Sequence, residues 1–372
     1  MYSPLVQGGT VCKWANDGQR FILEYLDTIC NYPSPMYDSA LPLSSSSWLH
    51  KYYTAELLQA PKMVKGPKSE WGACSHTVLW DSSPWVLSYW NNTIAVGFGN
   101  GDIIILDAIT GSQTAVLSEH TGGVECLTFS SDGKSLASGS HDNTVKLWDI
   151  QTGGAIKSFY GHTGFVQSVS ISADHTRIAS GSDNREICLW DIQTGELLYT
   201  IEQEKAVDHV RFSPMNPQHI ISISGCKVWH WDVNGHHIPP TYSGTDIAFS
   251  PDHTLFALCN GQVITVQNSD LRAIIAKFCV ATYIVKCCCF SPDGRLIAAV
   301  GDNIIAASGN IIYVWDVASS NPHLIETFIG HTMTISSLKF SSPSSLISAS
   351  YDKSVKFWQI STLSADPVTT DQ

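Results

Sequence analysis

LTFSSDGKSLASGSHDNTVKLWDIQTG (residues 127–153) and VSISADHTRIASGSDNREICLWDIQTG (residues 169–195) align without a gap, with 13 of 27 positions identical at an offset of 42. A match of that length marks an internal repeat, and it sets the frame for the remaining chain. The Trp-Asp ending recurs at Trp148-Asp149, Trp190-Asp191, Trp231-Asp232 and Trp315-Asp316. It decays to Leu106-Asp107 upstream, Trp358-Gln359 downstream and Val266-Gln267 between. Successive spacings of 42, 42, 41, 35, 49 and 43 average 42 residues. Seven such units fill 294 of the 372 residues and leave 78 for an N-terminal extension and a short tail.

Each unit reads as strands. In the best copy they fall at 124–129, 135–140, 144–148 and 154–160, with turns at Ser131-Asp132-Gly133 and His141-Asp142-Asn143. Four short strands per period of about 42 residues is the pattern of a propeller blade. A blade cannot bury both faces alone, so neighbours must stack about an axis until the ring closes. The expected fold is therefore all-β with seven blades, the unit ending near Gln267 being the weakest.

Composition agrees and narrows the partners. Hydrophobic residues make up 44% and charged residues only 15%, as for a globular chain with a large core. Acidic residues exceed basic ones by 33 to 21, and no Lys/Arg run breaks the formal charge of −12, so nucleic acid is not an expected partner. The start, MYSPLVQGGTVCKW, lacks the basic and apolar regions of a secretory signal. Eleven cysteines, an odd number without Cys-x-x-Cys pairs, read as reduced thiols in the cytoplasm. The apolar stretch at 297–315 is interrupted by Asp302, Asn303 and Asn310, so no membrane span is expected.

The Gly-His pairs Gly161-His162 and Gly330-His331, together with the Trp-Asp pairs, resemble WD-repeat proteins over roughly residues 76–360. The resemblance implies that the outermost strand of the last blade comes from the start of the propeller. The matching segment is HTVLW, 76–80, just before a first inner strand at 85–90.

Residues 1–65 differ in kind. Val11, Trp14, Gly18, Phe21, Ile22, Tyr25, Leu26 and Ile29 recur at helical spacing, a Pro/Ser stretch follows, and WLHKYYTAELLQ reads as a second helix behind Ser47. The expected organisation is a helical extension over 1–65, a propeller over 66–360 and a tail over 361–372. The segment YLDTICNYPSPMYDSALPLSSSSWLHKYY is similar to the helical stretch before the propeller in fungal NACHT/WD-repeat receptors, which are signal-transducing NTPases. That resemblance implies the sensor part of such a receptor without its NTPase, and a helical-domain neighbour for 1–65.

No catalytic, cofactor or metal site is expected. Gly133-Lys134-Ser135 mimics the end of a P-loop, but position 128 is Thr and a strand follows instead of a helix. Cys287, Cys288 and Cys289 alternate faces on a strand and cannot all reach one ion, and His230, His236 and His237 lack a matched ligand pair. The sequon Asn91-Asn92-Thr93 falls on a turn, and without a secretory signal no glycan is expected on it.

Ser and His do recur in one register. The sets are His120, Ser138, Asp142, Trp148; His331, Ser348, Asp352, Trp358; and, with Asn replacing Asp, His162, Ser180, Asn184, Trp190. The WD-repeat resemblance makes them buried hydrogen-bond networks, and a group present in several blades reads as architecture. The blades ending at Trp231, Gln267 and Trp315 are expected to lack the set and to be the least rigid.

What remains is binding. The resemblance places partners on the narrow top face, at Glu125, His141, Phe165, Gln167, Asp183, Asp208, Lys286 and Tyr351. The leading expectation is a protein-interaction scaffold of the NACHT-receptor kind with an unidentified protein partner. An adaptor subunit of another assembly, such as a ubiquitin ligase, is the alternative. A propeller enzyme ranks last.

Overall fold

The structure is a computed structural model of the full chain. It describes residues 74–213, 216, 218–268, 273–280, 284–302, 311–319 and 321–360. The expected helices of 1–65, the boundary at 65/66 and the tail at 361–372 lie outside the described residues.

A strand β1 (Cys74–Leu79) precedes the first blade. Blade 1 is β2 (Pro84–Trp90), β3 (Thr93–Phe98), β4 (Ile103–Asp107) and β5 (Gln113–Leu117). Blade 2 is β6 (Val124–Phe129), β7 (Ser135–Ser140), β8 (Thr144–Asp149) and β9 (Ala155–Tyr160). Blade 3 is β10 (Val166–Ile171), β11 (Arg177–Ser182), β12 (Glu186–Asp191) and β13 (Leu197–Glu202). Blade 4 is β14 (Val207–Phe212), β15 (His219–Ser224), β16 (Lys227–Asp232) and β17 (His237–Ser243). Blade 5 is β18 (Asp246–Phe249), β19 (Leu255–Asn260), β20 (Val263–Asn268) and β21 (Ile274–Cys279). Blade 6 is β22 (Ile284–Phe290), β23 (Leu296–Asp302), β24 (Ile311–Asp316) and β25 (His323–Ile329). Blade 7 holds β26 (Ile335–Ser342), β27 (Ser345–Ser350) and β28 (Ser354–Gln359).

Six sheets run in chain order, and the seventh runs β1-β28-β27-β26. The protein is an all-β, seven-bladed propeller whose last sheet takes its outer strand from before the first blade. Two units separate by their internal contacts, 1–77 with 357–359 and 78–356 with 360–372. In the first, Ser75 Oγ donates to the Phe357 carbonyl at 3.2 Å, and the His76 ring lies 5.6 Å from that of Phe357. In the second, Trp80 N–H bonds the Lys353 carbonyl at 3.0 Å, and Ser336 Oγ donates to the Pro84 carbonyl at 3.0 Å.

The core lies between blades because each sheet is apolar on both faces. Val145, Leu147 and Phe159 of blade 2 pack on Val166, Val169, Ile178 and Trp190 of blade 3. One blade earlier, Ile103, Ile105 and Leu117 meet Leu136 and Trp148 in the same way. Trp148 and Trp190 are the largest fully buried side chains. Burying an aromatic of that size is worth about 2–3 kcal/mol, so the repeated Trp is what locks one blade to the one before it.

The irregular spacings have local causes. Only Gly244 and Thr245 join β17 to β18, and β18 has four residues where other inner strands have six or more, which shortens the step to blade 5. In blade 6, residues 303–310 separate β23 from β24, where three residues suffice in blade 2. The expected Val266-Gln267 ending is off by one. Gln267 pairs with Phe256, as Trp148 pairs with Leu136, with a bulge just before it in both blades. The ending is therefore Gln267-Asn268, and the missing Trp hid the bulge from sequence alignment. The two ends of the apolar stretch, 297–302 and 311–315, lie in β23 and β24, with Ile297 opposite Trp315. Among the described residues no helix is long and apolar enough to cross a membrane.

Candidate partner-binding face and the networks behind it

The first residues of six inner strands carry a common irregularity. The register slips between Pro84 and Val86, Val124 and Cys126, Val166 and Ser168, Val207 and His209, Val285 and Cys287, and Ile335 and Ser337. Each bulge leaves one residue out of the ladder and re-aims its side chain. Those residues are Trp85, Glu125, Gln167, Asp208, Lys286 and Ser336. Four of them are sites named from sequence, and Trp85 was missed. Its signal was available, since Trp85 stands four residues before Tyr89 as Glu125 stands four before Phe129.

Beside the bulges sit the residues that precede the tight turns. His141 stacks on Phe165 at 4.2 Å and 13°, and Trp85 lies 5.1 Å from His141 on the other side. His141 Nε2 is 3.3 Å from Glu125 Oε2. Three aromatic rings from three blades thus form a continuous row, with Phe165 45% exposed. Gly99 and Gly123 make room for it, because a Cβ on either would fall 2.7 or 2.5 Å from the Trp85 indole. Farther round, Lys286 Nζ lies 5.2 Å over the Tyr351 ring. Burial pushes the Asp208 carboxyl above its usual range, and the nearby Asp183 adds to the shift. Gln167 is half-buried.

Behind the rim lie the polar sets. His120 Nδ1 is 2.7 Å from Asp142 Oδ2, His120 Nε2 is 2.7 Å from Ser138 Oγ, and Trp148 Nε1–H donates to Ser138 Oγ at 2.8 Å. Blade 7 repeats this, with His331 at 2.8 Å from Asp352 and 2.7 Å from Ser348, while Trp358 is buried. Burial alone would raise the Asp142 carboxyl, but hydrogen bonds from His120 and Thr144 win and hold it well below the usual carboxylate range. Blade 3 keeps His162 Nε2 to Ser180 at 2.7 Å and Trp190 Nε1–H to Ser180 at 2.8 Å, but Asn184 turns to Thr163 and Glu186. Blade 4 was expected to lack the set, yet Trp231 Nε1–H still donates to Ser222 Oγ at 2.9 Å. The Ser–Trp half survives there without His or Asp. In blade 6 the Trp315 ring is stacked between Phe278 and Tyr313 instead.

The three consecutive cysteines do not act together. Burial pushes the Cys289 thiol up to about 12 and raises Cys287 as well, so both stay protonated at neutral pH. Cys288 points to the other face, where its Sγ, Cys259 Sγ and an Asp246 oxygen lie within 4.8 Å of one another. Asp246 Oδ2 accepts the Cys288 N–H at 2.9 Å. Two repeats earlier, Ser168 Oγ accepts the Val210 N–H at 3.0 Å across the same 42-residue step. Asp246 is thus a staple between inner strands of blades 5 and 6.

The model for the WD domain, G-beta repeat, matches residues 111–149, 153–191, 276–316 and 322–359. The chain carries WD repeats in a seven-bladed propeller. Comparison with curated proteins found no match. The matched stretches take in the first three strands of blades 2, 3, 6 and 7 and all or part of the strand before each, whereas β1 to β4 and β13 to β20, with all of blade 4 and most of blade 5, fall outside. WD-repeat propellers are in general interaction platforms, and a face built from bulge and turn residues fits that use.

Proposed function

We propose that this protein is a non-catalytic scaffold that holds a protein partner on the rim carrying Trp85, Glu125, His141, Phe165, Gln167, Asp183, Asp208, Lys286 and Tyr351. The observation that carries the reading is the row Trp85–His141–Phe165, a rigid aromatic surface across three blades with one ring open to solvent. Aromatic side chains of this kind anchor protein interfaces at small entropic cost. The polar sets behind it recur from blade to blade and serve to hold the loops, which favours architecture over catalysis.

The finer role is the recognition propeller of a NACHT-type signalling receptor in the cytoplasm. It rests on the likeness of the segment before the propeller, and it gives the 1–65 extension a helical-domain neighbour. All nine described cysteines are free, in keeping with a reducing compartment. Affinity capture from the native cell, read by mass spectrometry, tests both levels. The partner should be lost with Phe165→Ala and kept with Tyr160→Ala on an outer strand. A partner lost only with the outer-strand variant overturns the rim assignment, and a partner without any helical signalling domain overturns the receptor role.

A further inference from the structure

Blade 3 departs from its sisters at three positions that meet in space. Asn184, Glu186 and Cys188 stand where blade 2 has Asp142, Thr144 and Lys146, and where blade 7 has Asp352, Ser354 and Lys356. The carboxylate has moved two residues along β12, and a thiol has replaced a cation. A nitrogen of His162, the Cys188 Sγ and a Glu186 oxygen now lie within 4.8 Å of one another. We propose that His162, Glu186 and Cys188 bind a divalent, thiophilic cation of the zinc class.

The donor set suits such an ion. Imidazole, thiolate and carboxylate are its protein ligands, at about 2.0–2.3 Å. Tetrahedral ligands at those lengths stand roughly 3.3–3.8 Å apart, so closing the site takes shifts of about an ångström. Charge also balances. Loading releases the Cys188 proton to solvent, and one thiolate with one carboxylate neutralises a dication beside a neutral imidazole.

The imidazole is prepared for ligation. His162 Nε2 is 2.7 Å from Ser180 Oγ, which also accepts the Trp190 N–H at 2.8 Å and so fixes the ring. His162 Nδ1 faces Cys188 Sγ, 3.7 Å away. In blades 2 and 7 an aspartate claims this nitrogen's proton instead. Glu186 is oriented too, since Asn184 Nδ2 donates to its Oε2 at 2.6 Å. Such outer partners fix ligand geometry in metal sites. Glu186 is half-buried, which leaves the ion a way in and a fourth position for water. Phe165 stands three residues after His162, so a bound ion would also stiffen the loop that bears the exposed aromatic.

Cobalt(II) titration of the metal-free full-length protein tests this, because a thiolate-to-cobalt charge-transfer band reports cysteine ligation directly. One equivalent should bind with that band, and zinc(II) should displace it. Cys188→Ser should abolish the band, and Glu186→Gln should weaken cobalt binding at least about tenfold, both with unchanged circular dichroism. Absence of a one-to-one band overturns the proposal. So does a band that persists in Cys188→Ser, which would place the ion at other thiols such as Cys259 and Cys288. If Cys188→Ser fails to fold, the partly exposed Glu186→Gln decides, and unchanged cobalt affinity in it counts against the site.

Discussion

Asp142 accepts four hydrogen bonds, from His120 Nδ1, Thr121 N, Thr144 N and Thr144 Oγ1. Asp142→Ala strands those donors without removing much volume, and should cost about 1–3 kcal/mol. Asp132 accepts bonds from Ser130 and Lys134 on an exposed turn, so Asp132→Ala should matter far less. Urea melts that give the two variants equal midpoints would refute the buried-network role. His162 makes a second residue-scale prediction. Its pKa is about 4 when folded against 6.5 when free, so between those values the unfolded chain binds a proton that the folded chain does not. Stability from this group is therefore complete above about pH 6.5 and is lost as pH falls toward 4, on the order of 3 kcal/mol in all. Asp142 and Asp352, both depressed, add their own losses at still lower pH. The urea midpoint should fall between pH 7 and pH 4.5, and a flat profile would contradict the buried neutral imidazole.

At the scale of the strand, β1 is an element of blade 7 that the chain supplies before blade 1. Deleting residues 1–65 leaves β1 intact and should leave a folded, monodisperse propeller. Deleting 1–80 removes it and exposes the edge of β28, which should open the ring and promote association. Size-exclusion chromatography and circular dichroism read both outcomes, and equal unfolding by the two deletions would make the N-terminal extension core structure. Strands were legible in the sequence wherever a tight turn and a Trp-Asp pair flanked them, as at β6 to β8 and β10 to β12. Blade 5 was harder to place because Gln267 occupies the Trp position and the bulge before it shifts the apparent ending by one. The bulge at Glu125 and its equivalents was legible as a position in the repeat, while the Trp85–His141–Phe165 row was not. Its rings come from three blades, and only the closed ring brings them together. The approach of His162 to Glu186 and Cys188 escaped for the same reason, since it depends on which hairpin faces the loop.

For the molecule as a whole, the polar sets are unevenly spread. Blades 2, 3 and 7 tie His to Ser, blade 4 keeps only Ser222 with Trp231, and Trp229 Nε1 there is buried without a hydrogen-bond partner. Native-state hydrogen exchange should be slower in β7, β11 and β27 than in β15, β19 and β23, because local opening follows the weakest cross-links. Uniform exchange across all seven blades would mean that ring closure alone sets rigidity. The borrowed outer strand also has a cost in time. A ribosome adding about 5–20 residues per second makes β1 tens of seconds before it makes β28. Throughout that interval Val78, Leu79 and Trp80 have no final partner, while six sheets assemble beside them. The newborn chain must be kept from pairing that strand with a neighbour on the same polysome, so its dependence on chaperones should be greatest late in synthesis, just before the last hairpin emerges.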